Sequence, residues 1–444
     1  PWGTFALQGE GANGSQVSNT EFAQGGGALI DRIEYTGQVT VHHAHGVVFD
    51  HDLFRDNLRS DDNVHILKSD FVIRNSHFQR SNSDALDLDI SSGDVLQNVF
   101  DTSGNDALDL MTSTPRIIGN VIRGSDDKGI SIGEASKPFI FNNLIEHCNR
   151  GMEVKDRSEP IVLNNEFVGN KIGFRERRKN WQYGGGGWPT IINTVFRDNK
   201  VQHLSDPFSR LTGTGVVGLD SASSLENAGD MSWFYARFGI RVDQPAAPGR
   251  VANWSFVPAR PAIDQDLFDD DFGPISDGWV PSGGTTRLEK RRDVMVLEAE
   301  RTTGIASRQV DWQIAGPDSA TLVLEVQGRD VDSAMVIVGS DRGSITHAFR
   351  PDDDTSPERS AMRAAAVARG LQLSGNLHTF HYVIVRLPPG HYTSLSITAD
   401  PRPGVSHVQR STGLSVLRHG RLEFRGYALY PGQPAPTASA SRGH

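Results

Sequence analysis

Six short segments of the chain can be laid under one another at a constant spacing of 22 residues. They are Asn63-Val64-His65-Ile66, Ala85-Leu86-Asp87-Leu88, Ala107-Leu108-Asp109-Leu110, Gly129-Ile130-Ser131-Ile132, Gly151-Met152-Glu153-Val154 and Gly173-Phe174-Arg175-Glu176. A fixed period of this kind marks a solenoid, whose units bury their apolar faces only by stacking on one another. Within each segment apolar and polar residues alternate, which is strand spacing. A second run recurs with the same period: Val72-Ile73, Val95-Leu96, Ile117-Ile118, Phe139-Ile140-Phe141 and Ile161-Val162-Leu163. Asparagine follows it at Asn75, Asn98, Asn120, Asn143 and Asn165, then an apolar residue at Phe78, Phe100, Ile122, Ile145 and Phe167. The intervening stretches are short and rich in Gly, Ser, Asn and Asp, which form turns rather than helices.

Two or three short strands per turn predict a right-handed parallel β-helix with coils of about 22 residues. Asparagines stacked at a bend can bond to each other and satisfy buried backbone groups. The position opening the first strand reads Asn63, Ala85, Ala107, Gly129, Gly151, Gly173, which predicts a tight corner, with positive φ as one explanation. Pro115, Pro138, Pro160 and Pro189 stand where second strands begin, a place that tolerates a missing N–H.

The chain has 444 residues, enough for two domains, and a net charge of −10, which argues against a general nucleic-acid binder. It has no apolar run long enough to span a membrane. Its one cysteine, Cys148, cannot form an internal disulfide and leaves the redox compartment open. The start at Pro1 fits a removed leader or a segment of a larger surface protein. The repeat fades after about Lys200, so residues 1–242 read as the β-helix with a C-terminal cap. Residues 243–262 read as a Pro/Ala-rich linker, and 263–431 as an all-β unit, a two-sheet, jelly-roll-like sandwich that helps hold carbohydrate. Its strand signals are Val294–Leu297, Thr321–Val326, Ala334–Val338, Phe380–Val385 and Leu422–Tyr427, with a short helix expected around Ser360–Arg369. Residues 432–444 read as a disordered tail.

Adjacent coils of a β-helix lie about 4.8 Å apart, so each outward position becomes a column. The corner column reads Asp62, Asp84, Asp106, Lys128, Arg150. The mid-strand column reads His65, Asp87, Asp109, Ser131, Glu153, Arg175, and the next reads Leu67, Asp89, Met111, Gly133, Lys155, Arg177. One face therefore carries clustered carboxylates grading into a basic end. Carboxylates this close must share a proton, pair with a base or bind a cation. A shared proton gives the acid and base of glycoside hydrolysis, whose carboxyl groups stand about 5–9.5 Å apart. A cation makes Asp87 and Asp109 candidate ligands of Ca²⁺, and no other cofactor is required. Aspartate at a solenoid corner also caps backbone N–H groups, an explanation with equal claim on Asp62, Asp84 and Asp106. Asp87 and Asp109 sit mid-strand, where aspartate has little structural use.

Asn82-Ser83-Asp84, Asn105-Asp106, Asp127-Lys128-Gly129-Ile130-Ser131-Ile132-Gly133 and Glu153-Val154-Lys155 fall on successive coils. This series resembles that of the polygalacturonases: Asn-Thr-Asp, Asp-Asp, Gly-His-Gly-Ile-Ser-Ile-Gly and Arg-x-Lys. The resemblance, over about 75 residues, implies Asp84 and Asp106 in the catalytic acid set and Lys155 on a substrate carboxylate. It departs from that pattern at Asn105, Lys128 and Glu153. More broadly the chain is similar to the pectin-lyase-like superfamily, which implies action on acidic polysaccharides and includes lyases, where Lys128, Arg150 or Lys155 would serve. Other members are binders or scaffolds.

The interval from Pro160 to Pro189 is seven residues longer than that from Pro138 to Pro160. The insertion, around Arg175 to Trp188, holds Arg177, Trp181 and Tyr183 among glycines, a platform for an anionic glycan or a capping loop. His43 and His45, with His51 or His65, form a weaker metal pattern, and Asp269–Asp271 and Asp352–Asp354 read as solvated turns or Ca²⁺ loops. The expected protein is extracellular, at the cell surface or periplasmic, and cleaves an acidic, uronate-containing polysaccharide by hydrolysis or β-elimination. Asp84, Asp87, Asp106, Asp109 and Lys128 are the expected catalytic residues. Arg150, Glu153, Lys155, Arg175, Arg177, Trp181 and Tyr183 are expected to bind substrate. The alternative is a non-catalytic glycan-binding or scaffold protein.

Overall fold

The computed structural model describes residues 2–219, 223–224, 235, 237–242, 247–257, 262–267, 278–291, 294–315, 319–329, 331–349, 381–401, 406–410, 413–417 and 419–431. The chain divides into two compact units, Pro1–Ser223 with Asp243–Asn253, and Ser224–Val242 with Trp254–His444. The expected helix near Ser360, both aspartate runs and the C-terminal tail lie outside the described residues.

The first unit is a parallel β-solenoid with three strands per coil. The first-strand sheet has nine members, the second ten and the third eight, each strand bonded to its counterpart one coil on. Strands Asp62–Leu67, Asp84–Asp89, Leu108–Met111, Lys128–Gly133, Arg150–Lys155 and Ile172–Arg177 hold the predicted register. Leu86 pairs with Leu108, Leu108 with Ile130, and Ile130 with Met152. Their side chains are fully buried and join one apolar cluster that runs from Ala12 to Leu219. Aromatic rings stack along the third sheet, with centroids 4.8 Å apart for Phe54 and Phe78 and 4.5 Å for Phe78 and Phe100. The stacking continues past Lys200, through Val201–Ser205 and Thr212–Thr214, where the sequence period is no longer visible.

The corners explain the small residues. Asn98, Asn120, Asn143 and Asn165 form a buried ladder in which each side-chain oxygen accepts the backbone N–H one coil earlier, at 2.8 Å for all three steps. Their Nδ2 atoms donate to carbonyls of earlier coils, including Val95, Ile117 and Ile140. Asn75 is not in the ladder. It sits one residue early, in a left-handed turn with φ 51°, and Ser76 occupies the ladder position. A second ladder, of Ser69, Ser91, Ser113, Ser136 and Ser158, closes the corner after the first strand in the same manner. Gly129 and Gly151 are not small because of positive φ. A Cβ at Gly129 would stand 2.7 Å from the Gly151 carbonyl oxygen, and one at Gly151 2.5 Å from that of Gly173. Close packing at the corner excludes a side chain.

Residues 247–253, which composition places in a linker, follow the coil corners. Val251 donates its N–H to Asn142 Oδ1 at 2.6 Å, and Asn164 Nδ2 donates to the Gly249 carbonyl at 2.8 Å. Both asparagines hold positive φ, which turns their side chains out of the ladder.

The second unit is antiparallel and has its own apolar core. Its long strand Val294–Ile314 pairs with His419–Pro431 through residues 295–300 and with Gly390–Pro401 through residues 304–314. One ladder thereby bends around the core, as a β-sandwich requires. Asp264 accepts from the Trp312 indole at 2.7 Å and from the Tyr427 hydroxyl, which pins the strand Asp264–Leu267 to that core. Among the described residues no helix is long and apolar enough to cross a membrane.

Asn143→Ala strips the Asn120 N–H of its partner and takes a donor from the Ile117 carbonyl, and a buried orphan costs about 1–3 kcal/mol. Urea denaturation should show a loss of at least that size, whereas Asn75→Gly, outside the ladder, should stay within about 0.5–1 kcal/mol of the native chain.

Candidate functional site

The first sheet carries the predicted columns on its outer face. Asp62 registers with Asp84, Asp87 with Asp109, and Glu153 with Arg175. The three columns do different work, and hydrogen bonding separates them.

The corner column is largely structural. Asp84 Oδ1 accepts the Asp106 backbone N–H at 2.7 Å and the Asn105 amide at 2.8 Å. Asp106 repeats this on the next coil, accepting the Lys128 N–H at 2.9 Å, and both its oxygens also receive Lys128 Nζ at 3.0 Å. Lys128 Nζ is clamped by Asp127 as well, and the ammonium is held above its usual pKa by these carboxylates against the opposing effect of burial. Asp106 and Lys128, both expected to be catalytic, are therefore engaged with each other. A lysine so paired cannot abstract a proton as an elimination base must. Asp84 differs, because its Oδ2 accepts no hydrogen bond among the described residues.

The mid-wall carboxylates lack such partners. Asp87 accepts no hydrogen bond among the described residues, and His65 Nε2 stands 3.9 Å from its Oδ2. Asp109 Oδ1 accepts only its neighbour's N–H, from Leu110 at 3.0 Å. Asp89 Oδ2 stands 3.4 Å from His65 Nε2. Burial and then the Asp106 charge push Asp84 up to about 8. Burial followed by Asp62, Asp89, Asp109 and Asp84 holds Asp87 well above the ordinary carboxylate range. Burial raises Asp62 and Asp106 to about 6, the latter despite Lys128. The wall thus keeps protons at neutral pH, which is the resource a general acid needs.

His65, 6% exposed, was only a weak metal candidate in the sequence, and the fold turns it onto this wall. Its Nδ1 lies 3.3 Å from Nε2 of buried His42, whose imidazole burial lowers to about 4, so it is neutral. Tyr35 stacks on His42 at 5.3 Å. His45 and His51 instead pair with Asp70 and Asp50 elsewhere on the surface.

The basic end also differs from expectation. Glu153 is fully buried and cannot touch a substrate; it collects Arg177 Nε at 3.1 Å, Arg175 at 3.5 Å and Arg150 at 3.6 Å. Arg150 binds Asp127 too. These arginines are thus partly neutralised from beneath. Lys155 is 3% exposed, and its Nζ donates to Ser131 Oγ at 2.8 Å with no carboxylate in salt-bridge range among the described residues. The inserted loop is anchored by buried Asp156, whose Oδ1 accepts the N–H groups of Lys179 and Asn180, both at 2.7 Å. Asn180 then caps the 3-10 turn Trp181–Tyr183, which ends at Gly184 with φ 73°. Trp181 stands 75% exposed. Tyr183 is raised by burial and by the nearby charges of Glu134 and Asp156, which places it at the edge of the first sheet. Trp188, in contrast, packs under Arg157 at 5.3 Å.

No curated protein matches the chain. Among solved structures it is similar to the enzymatically active domain of Bacteriophage CBA120 tailspike protein 4, at 12% identity and TM-score 0.27, covering 93% of this chain and 63% of that one. The chain therefore spans less than two thirds of that domain's length. It is also similar to tailspike protein gp49 from Acinetobacter baumannii bacteriophage Fri1, a capsular polysaccharide depolymerase, at 14% identity and TM-score 0.28, covering 90% and 69%. A mutant family 29 carbohydrate binding module covers 37% of this chain and 87% of its own at 11% identity and TM-score 0.21. The family model described as right handed beta helix region matches residues 62–227, and the stacked coils identify that part of the chain as a right-handed parallel β-helix.

Proposed function

We propose that the β-helix unit hydrolyses a glycosidic bond of an acidic polysaccharide laid along the aspartate wall. Asp84 is the proton donor and Asp109 the carboxylate that acts as base or nucleophile. The observation that carries this reading is the Asp84 carboxyl, pushed up to about 8, with the Asp109 charge among the causes of that shift. A protonated carboxyl beside an ionised one is the pairing that glycoside hydrolysis requires. Asp109 registers with Asp87, three residues along the strand from Asp84, so the two backbones are separated by one coil spacing and a lateral step of about 10 Å, which the side chains must span inward.

Elimination has less support. Lys128 is locked on Asp106 and Asp127, and the arginines are engaged with Glu153 and Asp127. At the basic end, among the described residues, the three arginines Arg150, Arg175 and Arg177 share two carboxylates, Glu153 and Asp127. This end would receive the sugar's anionic groups through Arg175 and Arg177, with buried Lys155 adding charge from beneath and exposed Trp181 as a stacking face. Such a polymer is met outside the cell, so the proposed location is extracellular or at a cell surface.

The test is incubation with a panel of uronate-containing polymers. New reducing ends without the ultraviolet absorbance of an unsaturated sugar are expected. Absorbance would mean elimination, and binding without cleavage would leave a scaffold. Asp109→Asn and Asp84→Asn should each lower kcat by about 10²–10⁴-fold. Activity of the native chain should fall as pH rises through about 8, where Asp84 loses its proton.

The same proton shapes stability. Asp84 titrates near 3.8 when unfolded and near 8 when folded, so between these values only the native chain holds the proton. Its contribution is most favourable on the acid side of that window and declines as pH rises towards 8. Asp84→Asn should flatten this decline in denaturation midpoints measured across the window.

A further inference from the structure

One group of side chains on the same wall has no part in that reading. His65 Nε2, Asp87 Oδ2 and Asp89 Oδ2 converge from two adjacent coils, with His65 3.9 Å from Asp87 and 3.4 Å from Asp89. The three ligand atoms all lie within 4.8 Å of one another. Metal–ligand bonds of about 2.0–2.2 Å bring donor atoms to about 4.4 Å or less, so a small side-chain movement closes the set.

We propose that His65, Asp87 and Asp89 bind a divalent first-row transition-metal ion. Three features of the group favour a site over an ordinary acidic patch. The imidazole is 6% exposed and aims Nε2 at the carboxylates rather than at solvent. Its other nitrogen faces His42 Nε2 at 3.3 Å, and a hydrogen bond donated from His65 Nδ1 would fix the tautomer that leaves Nε2 free to coordinate. Asp87 offers a carboxylate that accepts no hydrogen bond among the described residues. One strand supplies both aspartates, two residues apart and on the same face, and the strand before it supplies the histidine.

The donor set decides the class of ion. One imidazole and two carboxylates suit Mn²⁺, Fe²⁺ or Zn²⁺, whereas Ca²⁺ prefers oxygen alone and more of it. The sequence paired Asp87 with Asp109 for calcium, but Asp109 is outside the converging group. Three protein ligands also leave positions open for water or for sugar hydroxyls. An ion there would add positive charge where five carboxylates crowd, beside the hydrolytic pair but held by other side chains.

The experiment uses the full chain, stripped with chelator and titrated with Mn²⁺ in the absence of polysaccharide, with binding followed by electron paramagnetic resonance and Zn²⁺ binding by calorimetry. One saturable ion per chain is expected. His65→Ala and Asp89→Asn should each weaken it about tenfold or more. Asp109→Asn should weaken it less than His65→Ala does, while lowering kcat of hydrolysis by about 10²–10⁴-fold. If His65→Ala fails to fold, NMR of the native chain decides: bound Mn²⁺ should broaden the ring signals of His65 and His42 and spare those of His203, six strands along the same sheet. Absence of saturable binding, or broadening centred on exposed His45 beside Asp70 with His65 unaffected, overturns the site. Because no substrate is present, the proposal and the hydrolytic reading fail separately.

Discussion

The parallel backbone ladder between one coil and the next governs this molecule. It bonds each strand to its equivalent one coil on, 22 residues later in the regular middle coils, and so makes each side chain there the neighbour of its own repeat. Inside, that rule is favourable: Leu, Ile and Phe stack on their like and exclude water. At the corners it is favourable again, since a column of Asn or Ser can pass one hydrogen bond from coil to coil. On the outer face of the first sheet it becomes a problem, because identical charges are forced together.

The corner and the wall solve that problem differently. At the corner Asp84 and Asp106 each turn an oxygen to the N–H of the following coil, and the next residue of the column is a lysine that neutralises Asp106. Glu153 is treated in the same way, by arginines from its own and the next coil. Asp87 has no such relief, and Asp84 keeps one oxygen without a donor among the described residues. The physical options left are a proton, which the account places on Asp84, or a cation, which it places on Asp87 with His65 and Asp89. A site of unsatisfied charge maintained by an otherwise well-satisfied scaffold is where local rules yield to function.

The solenoid, its register and the inward residues were legible because a period of two within a period of 22 is hard to produce by chance. The strands of the second unit were legible for the same alternation. Asn75 was misplaced because Asn serves both in left-handed turns and in ladders, and Asn75-Ser76 holds those two roles in the reverse residue types from Gln97-Asn98. The serine ladder went unnoticed because serine is expected in any turn. Columns alone could not show that Arg175 and Arg177 reach back to Glu153, or that Asp106 is taken up by Lys128. Those outcomes depend on side-chain reach and burial. The approach of His65 to Asp89 is of the same kind, a diagonal contact between adjacent columns, whereas Asp87 is its neighbour within one column.

The claim that stacking traps a proton on the aspartate wall can be read directly. A pH-difference infrared spectrum of the native chain should retain a neutral-carboxyl band at neutral pH, lose it as pH passes about 8, and lack that component in Asp84→Asn. Complete ionisation of every aspartate by around pH 5, as for free carboxyl groups, would contradict the account.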